Sequence, residues 1–142
     1  MNMNMNPTSL ITDNITELLI KIIEFTQSRQ KILTRNINNI RKHGFVPKDL
    51  KVDEFSESMS IAIGEHTRNQ RLVLRDSENI KFGFNGSFEA IPVIDENAKD
   101  LLKKSRDEYL ELQTNKLLEN SLNQRVAAEL LRQRQGMISA LD

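Results

Sequence analysis

The chain has no cysteine and no tryptophan, and it has a single tyrosine among its 142 residues. Without cysteine there is no disulfide and no thiolate metal site, so the sequence is compatible with a reducing or an oxidising compartment. Acidic and basic residues balance at 20 each, which gives no electrostatic reason to expect nucleic acid or a membrane surface as a partner. No apolar run approaches the roughly 20 residues that a membrane-spanning helix needs.

Residues 1–10 are predicted to form a flexible tail. Methionine and asparagine alternate there before Pro7, which is a low-complexity pattern. The segment has neither the basic region nor the apolar core of a secretory signal peptide. If the protein leaves the cytoplasm, we therefore expect a route that uses no such peptide.

Residues 11–41 are predicted to form an amphipathic helix. Capping side chains are available at residues 12–14, which are Thr, Asp and Asn, and Gly44 follows the expected end. The apolar residues recur at alternating steps of four and three, which is the spacing of one helix face. They are Ile11, Ile15, Leu18, Ile22 and Phe25.

Two polar residues interrupt this apolar face. Arg29 and Asn36 stand where the spacing asks for apolar side chains. In paired helices such a residue can fix the register at a cost in stability. Alternatively, the helix turns away from its partner at that point, and the sequence leaves both interpretations open.

A basic cluster in and after the same helix invites comparison with surfaces that bind nucleic-acid phosphates. The zero net charge and the scarcity of aromatic residues argue against that use. A solvated face, or a surface that complements the charge of a neighbouring subunit, is the better interpretation. The cluster consists of Arg29, Lys31, Arg35, Arg41 and Lys42.

Residues 42–107 are predicted to be an irregular middle region that contains one short helix. Gly44 and Pro47 prevent the first helix from continuing. Asp53 is expected to cap the short helix, and a polar loop is expected over residues 65–79. The apolar residues of the short helix are Phe55, Met59, Ala62 and Ile63.

A β-hairpin is predicted later in the middle region. Residues 80–84 alternate in the manner of a strand, and Asn85-Gly86 is a strong turn signal. Phe88 and Ala90 belong to the expected return strand. After it, Asp95 either caps a further helix or precedes the irregular end of the region.

Residues 108–142 are predicted to form a second long helix, so the fold class is mainly α with one domain over residues 11–142. Its apolar residues form a drifting stripe at nearly helical spacing. They are Leu112, Leu118, Leu122, Val126 and Leu130.

The sequence gives little support for a catalytic function. His43 and His66 are the only histidines, and neither belongs to a metal-binding pattern. The carboxylates fall on exposed helix faces, and no nucleophile elbow or phosphate-binding loop is present. We expect no enzyme activity, no catalytic or metal site and no cofactor.

The segment 34–55 resembles the N-terminal signature of the axial proteins of the bacterial flagellum, and in particular the basal-body rod protein family. In that family a helix ends in an Asn-rich run, which is followed by a turn containing Gly-Tyr. Asn36-Ile37-Asn38-Asn39 takes the place of the run here, and Gly44-Phe45 takes that of Gly-Tyr. Lys42-His43 stands where the family usually has Thr-Pro, so the chain resembles a divergent member.

The other end of the chain resembles the same family. Glu119-Asn120-Ser121-Leu122, followed by Leu130-Leu131 and Ile138, is similar to the closing helix of the short proximal rod proteins. The chain length also suits those proteins, because distal rod and hook proteins carry an additional domain between the two signatures.

The resemblance implies a structural subunit of the proximal rod, which connects the membrane-embedded ring to the distal rod and transmits torque. It implies export through the flagellar type III pathway to the periplasmic rod without a cleavable signal peptide. The implied partners are other rod subunits and the ring or export-gate adaptor proteins, in a helical stack.

The resemblance also implies that the two terminal helices pair as an antiparallel coiled coil. Two sets of residues are then expected to pack together, namely Ile15, Leu18, Ile22 and Phe25 against Leu118, Leu122, Val126 and Leu130. A third set is expected to form the turn that docks on the adjacent subunit, namely Asn36, Ile37, Asn39, Gly44 and Phe45.

A cytoplasmic coiled-coil adaptor, or oligomerisation module, is the competing interpretation. It accounts for the helices and the neutral charge, but it gives no reason for the Asn-rich run and the Gly-Phe turn. An adaptor is expected to be ordered and discretely oligomeric in isolation, whereas a rod subunit is expected to polymerise or to remain partly unfolded.

Overall fold

The structure is a computed structural model that describes residues 7–83 and 88–141, with side chains over residues 14–83 and 88–137. Its described elements are mainly helical, with two short antiparallel ladders. In chain order they are α1 Pro7–Asn38, β1 Lys48–Asp49, α2 Val52–Asn69, β2 Ile80–Phe82, β3 Phe88–Ala90, β4 Val93–Ile94, α3 Glu96–Lys104 and α4 Arg106–Leu141.

Helix α1 begins earlier than the sequence predicts, at Pro7, so that residues 7–10 of the expected tail are helical. Proline is tolerated in the first turn of a helix, where its missing N–H would have no intrahelical partner. The rest of the expected tail, residues 1–6, lies outside the described residues. At the other end, α1 stops at Asn38 and a turn leads to Gly44, whose φ is 77°.

Helices α1 and α4 lie side by side and run in opposite directions. Asn36 Nδ2 donates to Gln113 Oε1 at 3.0 Å, and Asn120 Nδ2 donates to the Thr26 carbonyl at 2.8 Å. Residue numbers therefore decrease along α1 in the direction in which they increase along α4, as in an antiparallel pair. The sequence-based prediction of a mainly helical fold is confirmed, whereas the pairing of α1 and α4 as a coiled coil stays a prediction.

The apolar core lies between α1, α2 and the β2–β3 hairpin. The Phe25 and Phe55 rings stack with centroids 4.1 Å apart, and Phe88 meets the Phe55 ring edge-on at 5.9 Å, an arrangement that aromatic quadrupoles favour. The buried members of this cluster are Leu18, Phe25, Leu50, Phe55, Met59, Ala62 and Ile80.

The predicted hairpin is confirmed by β2 and β3, which pair antiparallel with Phe82 opposite Phe88. Its expected turn, Asn85-Gly86, lies outside the described residues. A second ladder was not predicted: β1 pairs with β4, with Asp49 opposite Val93. Each of these strands has two residues, which is too short for an alternating pattern to be read from the sequence.

Helix α2 is longer than predicted and differs at both ends. Lys51, rather than Asp53, occupies the N-cap position. The helix continues to Asn69 through the first part of the expected loop and ends at Gln70, which adopts the left-handed conformation with φ 52°.

Of the two alternatives for Asp95, the structure has the helix cap. Its carboxylate accepts a hydrogen bond from the Ala98 N–H at 3.0 Å, as an N-cap residue does. Helix α3 ends before the extended residue Ser105, whose Oγ accepts from the Glu108 N–H at 3.2 Å at the start of α4.

Within the described part of the chain, no helix combines the length and the apolarity that a membrane crossing requires.

Candidate functional site

The face that α4 turns toward α1 is polar. Tyr109, Gln113, Lys116 and Asn120 follow one another at steps of four, three and four, which keeps them on one side of the helix. The side chains of Tyr109, Gln113 and Asn120 are buried, at 0%, 0% and 1% exposure, and Lys116 is half-buried. These four residues are called the polar seam below.

Asn36 is the partner of the polar seam at one end. Its Nδ2 donates to the Lys48 carbonyl at 2.7 Å as well as to Gln113, and its Oδ1 accepts from the Lys48 N–H at 3.2 Å. The Tyr109 hydroxyl donates to the Asn36 carbonyl at 2.8 Å. Burial, followed by the charge of Asp95, raises the pKa of Tyr109 to about 12, so the hydroxyl keeps its proton and remains a donor.

Four charged residues form a cluster in the middle of the polar seam. Arg29 binds Asp49 through two hydrogen bonds, at 2.9 Å and 3.0 Å. Lys116 Nζ lies 3.0 Å from Asp49 Oδ2 and 2.6 Å from Asp95 Oδ2. Arg29, Asp49, Asp95 and Lys116 are called the ion cluster below, and they join α1, β1, the cap of α3 and α4.

The electrostatics of the ion cluster favour its charged form. Burial by itself would raise the pKa of the Asp49 carboxyl, but the hydrogen bonds and charges of Arg29 and Lys116 outweigh it and hold that pKa below its ordinary value. Burial by itself would lower the pKa of Lys116, and Asp95 and Asp49 reverse that effect and raise it.

The ion cluster also separates Arg29 from the other residues of the basic cluster that the sequence contains. Arg29 is buried at 7% exposure and is neutralised by Asp49. Lys31 and Arg35 are exposed on the opposite side of α1, where Gln27, Gln30 and Thr34 surround them. Arg29 is therefore not available to an exposed positive surface of the kind that phosphate binding requires.

An apolar groove lies beside the polar seam, between α1, α2 and the second half of α4. It encloses about 590 Å³ and is open to solvent. Its apolar lining includes Ile22, Phe25, Met59, Leu122, Val126 and Leu130.

The expected direct packing of the two apolar stripes needs correction. Leu18 and Phe25 are buried at 4% exposure, and Ile22 packs against the core, while Ile15 is half-buried. On α4 the exposed fractions remain large: Leu118 65%, Leu122 58%, Val126 50% and Leu130 46%. The physical reason is that α4 turns its polar seam to α1, which leaves its apolar stripe at the edge of the groove.

The residues of the expected docking turn have different environments. Asn36 is buried, Ile37, Asn39 and Phe45 are half-buried, and Gly44 is exposed. A Cβ added at Gly44 would meet nothing within 4 Å, so its positive φ, rather than a close approach, accounts for glycine there. The docking role of this turn stays a prediction.

Neither histidine joins a constellation of ligands. His43 is exposed, and the His66 ring lies 3.4 Å from the Asn14 amide. Among the residues with described placement, no group of three His, Cys, Asp or Glu side chains is arranged to hold a metal ion.

Sequence reasoning missed Gln113, Lys116, Asp49 and Asp95 as contact residues. A signal for the first two is present, because polar residues at 113, 116 and 120 repeat at helical spacing beside the apolar stripe. No comparable signal marks Asp49, which gains its partners through the tertiary fold.

No protein-family model matches the chain, and no curated protein and no solved structure shows significant similarity to it. The resemblance to the rod proteins therefore depends on the two terminal signatures alone.

Proposed function

We propose that this chain is a structural subunit of the proximal rod of the bacterial flagellar basal body. In this role it helps to connect the membrane-embedded ring to the distal rod and to transmit torque. The proposal draws on the two terminal signatures, which occur in the order that the family has, and on one structural observation.

That observation is the unpartnered apolar surface of α4. Leu118, Leu122, Val126 and Leu130 are each about half exposed or more, on a helix that the polar seam already holds to α1. Contiguous exposed apolar surface of this kind is typical of interaction sites. A subunit of a helical stack has a use for it, because neighbouring subunits cover it on assembly.

The finer parts of the proposal follow from the same role. In the rod, α1 and α4 pair as an antiparallel coiled coil, and residues of neighbouring subunits fill the apolar groove. The turn from Asn36 to Phe45 docks on an adjacent subunit. The chain reaches the periplasm by type III export, and its partners are rod subunits and ring or export-gate adaptor proteins.

Mass spectrometry of purified hook–basal bodies tests the proposal directly. The chain is expected in these particles, and a strain that lacks the gene is expected to form no rods. If intact basal bodies do not contain the chain, the proposal is wrong and the cytoplasmic adaptor becomes the better interpretation.

A point substitution tests whether the apolar surface of α4 is a contact between subunits. Leu122→Asp is expected to abolish motility while export of the chain remains near the parent level, because a charge cannot be buried at the subunit contact without a large cost. Ser121→Asp is the matched control, since Ser121 is exposed and adjacent. A motile L122D strain would show that this stripe is not a subunit contact.

A further inference from the structure

We infer that the polar seam sets the register of α4 on α1, selecting one antiparallel alignment among several that the apolar residues alone would accept. This inference goes beyond the proposed rod function, because it concerns the pairing within one chain and holds for any assembly that the chain joins.

The apolar stripe of α4 cannot select an alignment by itself. Its members repeat at equal steps of four: Leu118, Leu122, Val126 and Leu130. A slide of α4 by four residues, or about 6 Å along its axis, moves each member to the place of the next. Three of the four stripe positions would then again hold leucine or valine, so the stripe by itself distinguishes the two alignments poorly.

The polar seam responds to the same slide in the opposite way. In one direction Leu117 would stand opposite Asn36, and Asn120 would replace Lys116 beside Asp49 and Asp95. In the other direction Leu112 would replace Lys116. Either slide leaves two carboxylates with Arg29 as their remaining cation in the ion cluster, and an unpaired buried charge is strongly destabilising.

Asn36 adds a second requirement at a different level of the helix pair. It is 2% exposed and divides its amide between Lys48 and Gln113. An apolar residue in the place of Gln113 would remove one of these partners. Buried hydrogen-bonding groups of this kind are the best-attested means by which helix pairs specify register. Of the two interpretations of Arg29 and Asn36 that the sequence leaves open, the inference therefore adopts the one in which they fix the register.

Lys116 extends the register beyond the two helices. Through Asp95 it contacts the cap of α3, and the Asp95 N–H donates to the Pro47 carbonyl at 3.0 Å. Through Asp49 it contacts β1, which Asn36 and Arg29 hold to α1. The position of α4 is thus defined against the middle region as well as against α1, which fixes where its apolar stripe lies relative to α2.

Distances between two spin labels test the inference. The chain has no native cysteine, so Gln27→Cys and Glu111→Cys give two unique labelling sites. Both are exposed and they are separated along the helix pair, with the second in the half of α4 that carries the polar seam. The test variants are Lys116→Met and Gln113→Leu. Arg132→Met is the matched control, because it removes an exposed ion pair with Glu129 outside the polar seam.

The doubly labelled parent is expected to give one narrow distance distribution, and so is the R132M control. K116M or Q113L is expected to add a second population, displaced by several ångströms as a slide of one helical turn requires. The inference is overturned when neither variant shows a second population, whether both keep the parent distance or both lose their helicity. It is also overturned when R132M shows the same second population.

Discussion

Asp49 is the residue at which the charges of three elements meet. Its carboxylate binds Arg29 of α1 and Lys116 of α4, and its backbone belongs to β1. Removing one member of a buried ion pair leaves the other charges without compensation, which typically costs several kcal/mol. The stability of the fold is therefore expected to be unusually sensitive at this single position.

Asp49→Asn is expected to lower the free energy of unfolding by about 3 kcal/mol at pH 7, as measured by urea denaturation followed by circular dichroism. Asp53→Asn is the matched control, because the Asp53 side chain is 74% exposed and its ion pair with Lys51 spans 3.6 Å. Exposed pairs contribute about 1 kcal/mol or less. Equal effects of D49N and D53N would contradict this account of the ion cluster.

The same substitution predicts a pH dependence. The pKa of Asp49 is lower in the folded chain than its ordinary value, so its stabilisation is complete above the unfolded pKa of about 3.9. It is lost as the pH falls through the still lower folded pKa. The difference in unfolding free energy between the parent and D49N is therefore expected to shrink below about pH 4, and a difference that stays constant to pH 2 would be incompatible with this assignment.

At the scale of single residues, the sequence indicates which positions are unusual but does not indicate their partners. Arg29 and Asn36 are recognisable because they interrupt an apolar face. The identity of Asp49 as the partner of Arg29 depends on the β1–β4 ladder, whose four residues carry no detectable strand pattern. The contacts of these residues could not be predicted without the tertiary fold.

At the scale of secondary-structure elements, Asp95 serves α3 and α4 at once. One carboxylate oxygen caps α3 at the Ala98 N–H, and the other binds Lys116. The cap requires only an acceptor oxygen, whereas the contact with Lys116 is strengthened by a full negative charge. Two substitutions at this position therefore separate the two contributions.

Asp95→Asn keeps an acceptor for the cap and removes the charge, whereas Asp95→Ala removes both. Urea denaturation is expected to find D95A less stable than D95N by about 1 kcal/mol, the usual contribution of an N-cap side chain. Ser105→Ala is the control, because it removes only the cap of α4 and leaves Lys116 paired. Identical stabilities of D95A and D95N would mean that the side chain contributes nothing as a cap.

Elements with strong local signals are predicted well, and their ends are predicted poorly. The two long helices and the β2–β3 hairpin follow from periodicity and turn chemistry. The early start of α1 at Pro7 and the extension of α2 to Asn69 could not be predicted in this way. Helix ends depend on capping and tertiary packing, which the local apolar pattern does not contain. Lys51 at the N-cap of α2 has no sequence signature at all.

At the scale of the whole molecule, the two halves of α4 differ in how they are held. The first half carries the polar seam, whose residues are buried or half-buried at every turn. In the described part of α4 beyond Asn120, Ala127 is the buried side chain, at 3% exposure, and Val126 and Met137 are exposed by half or more. The sequence could predict an apolar stripe here. It could not predict that the stripe is exposed to solvent, because its exposure depends on which face of α4 packs against α1.

This asymmetry predicts a pattern of amide hydrogen exchange. In a dilute solution of the isolated chain, residues 121–137 are expected to exchange much faster than residues 109–120, because opening the second half of α4 exposes little additional buried surface. When the chain assembles, burial of the apolar stripe is expected to slow exchange in residues 121–137 and to leave residues 109–120 nearly unchanged.

L122D, which places a charge in the stripe, is expected to prevent this gain in protection, and S121D is expected to retain it. Uniform protection along α4 in the dilute chain would mean that the pairing of α1 and α4 is already complete within one molecule, and the exposed stripe would then need another explanation than assembly.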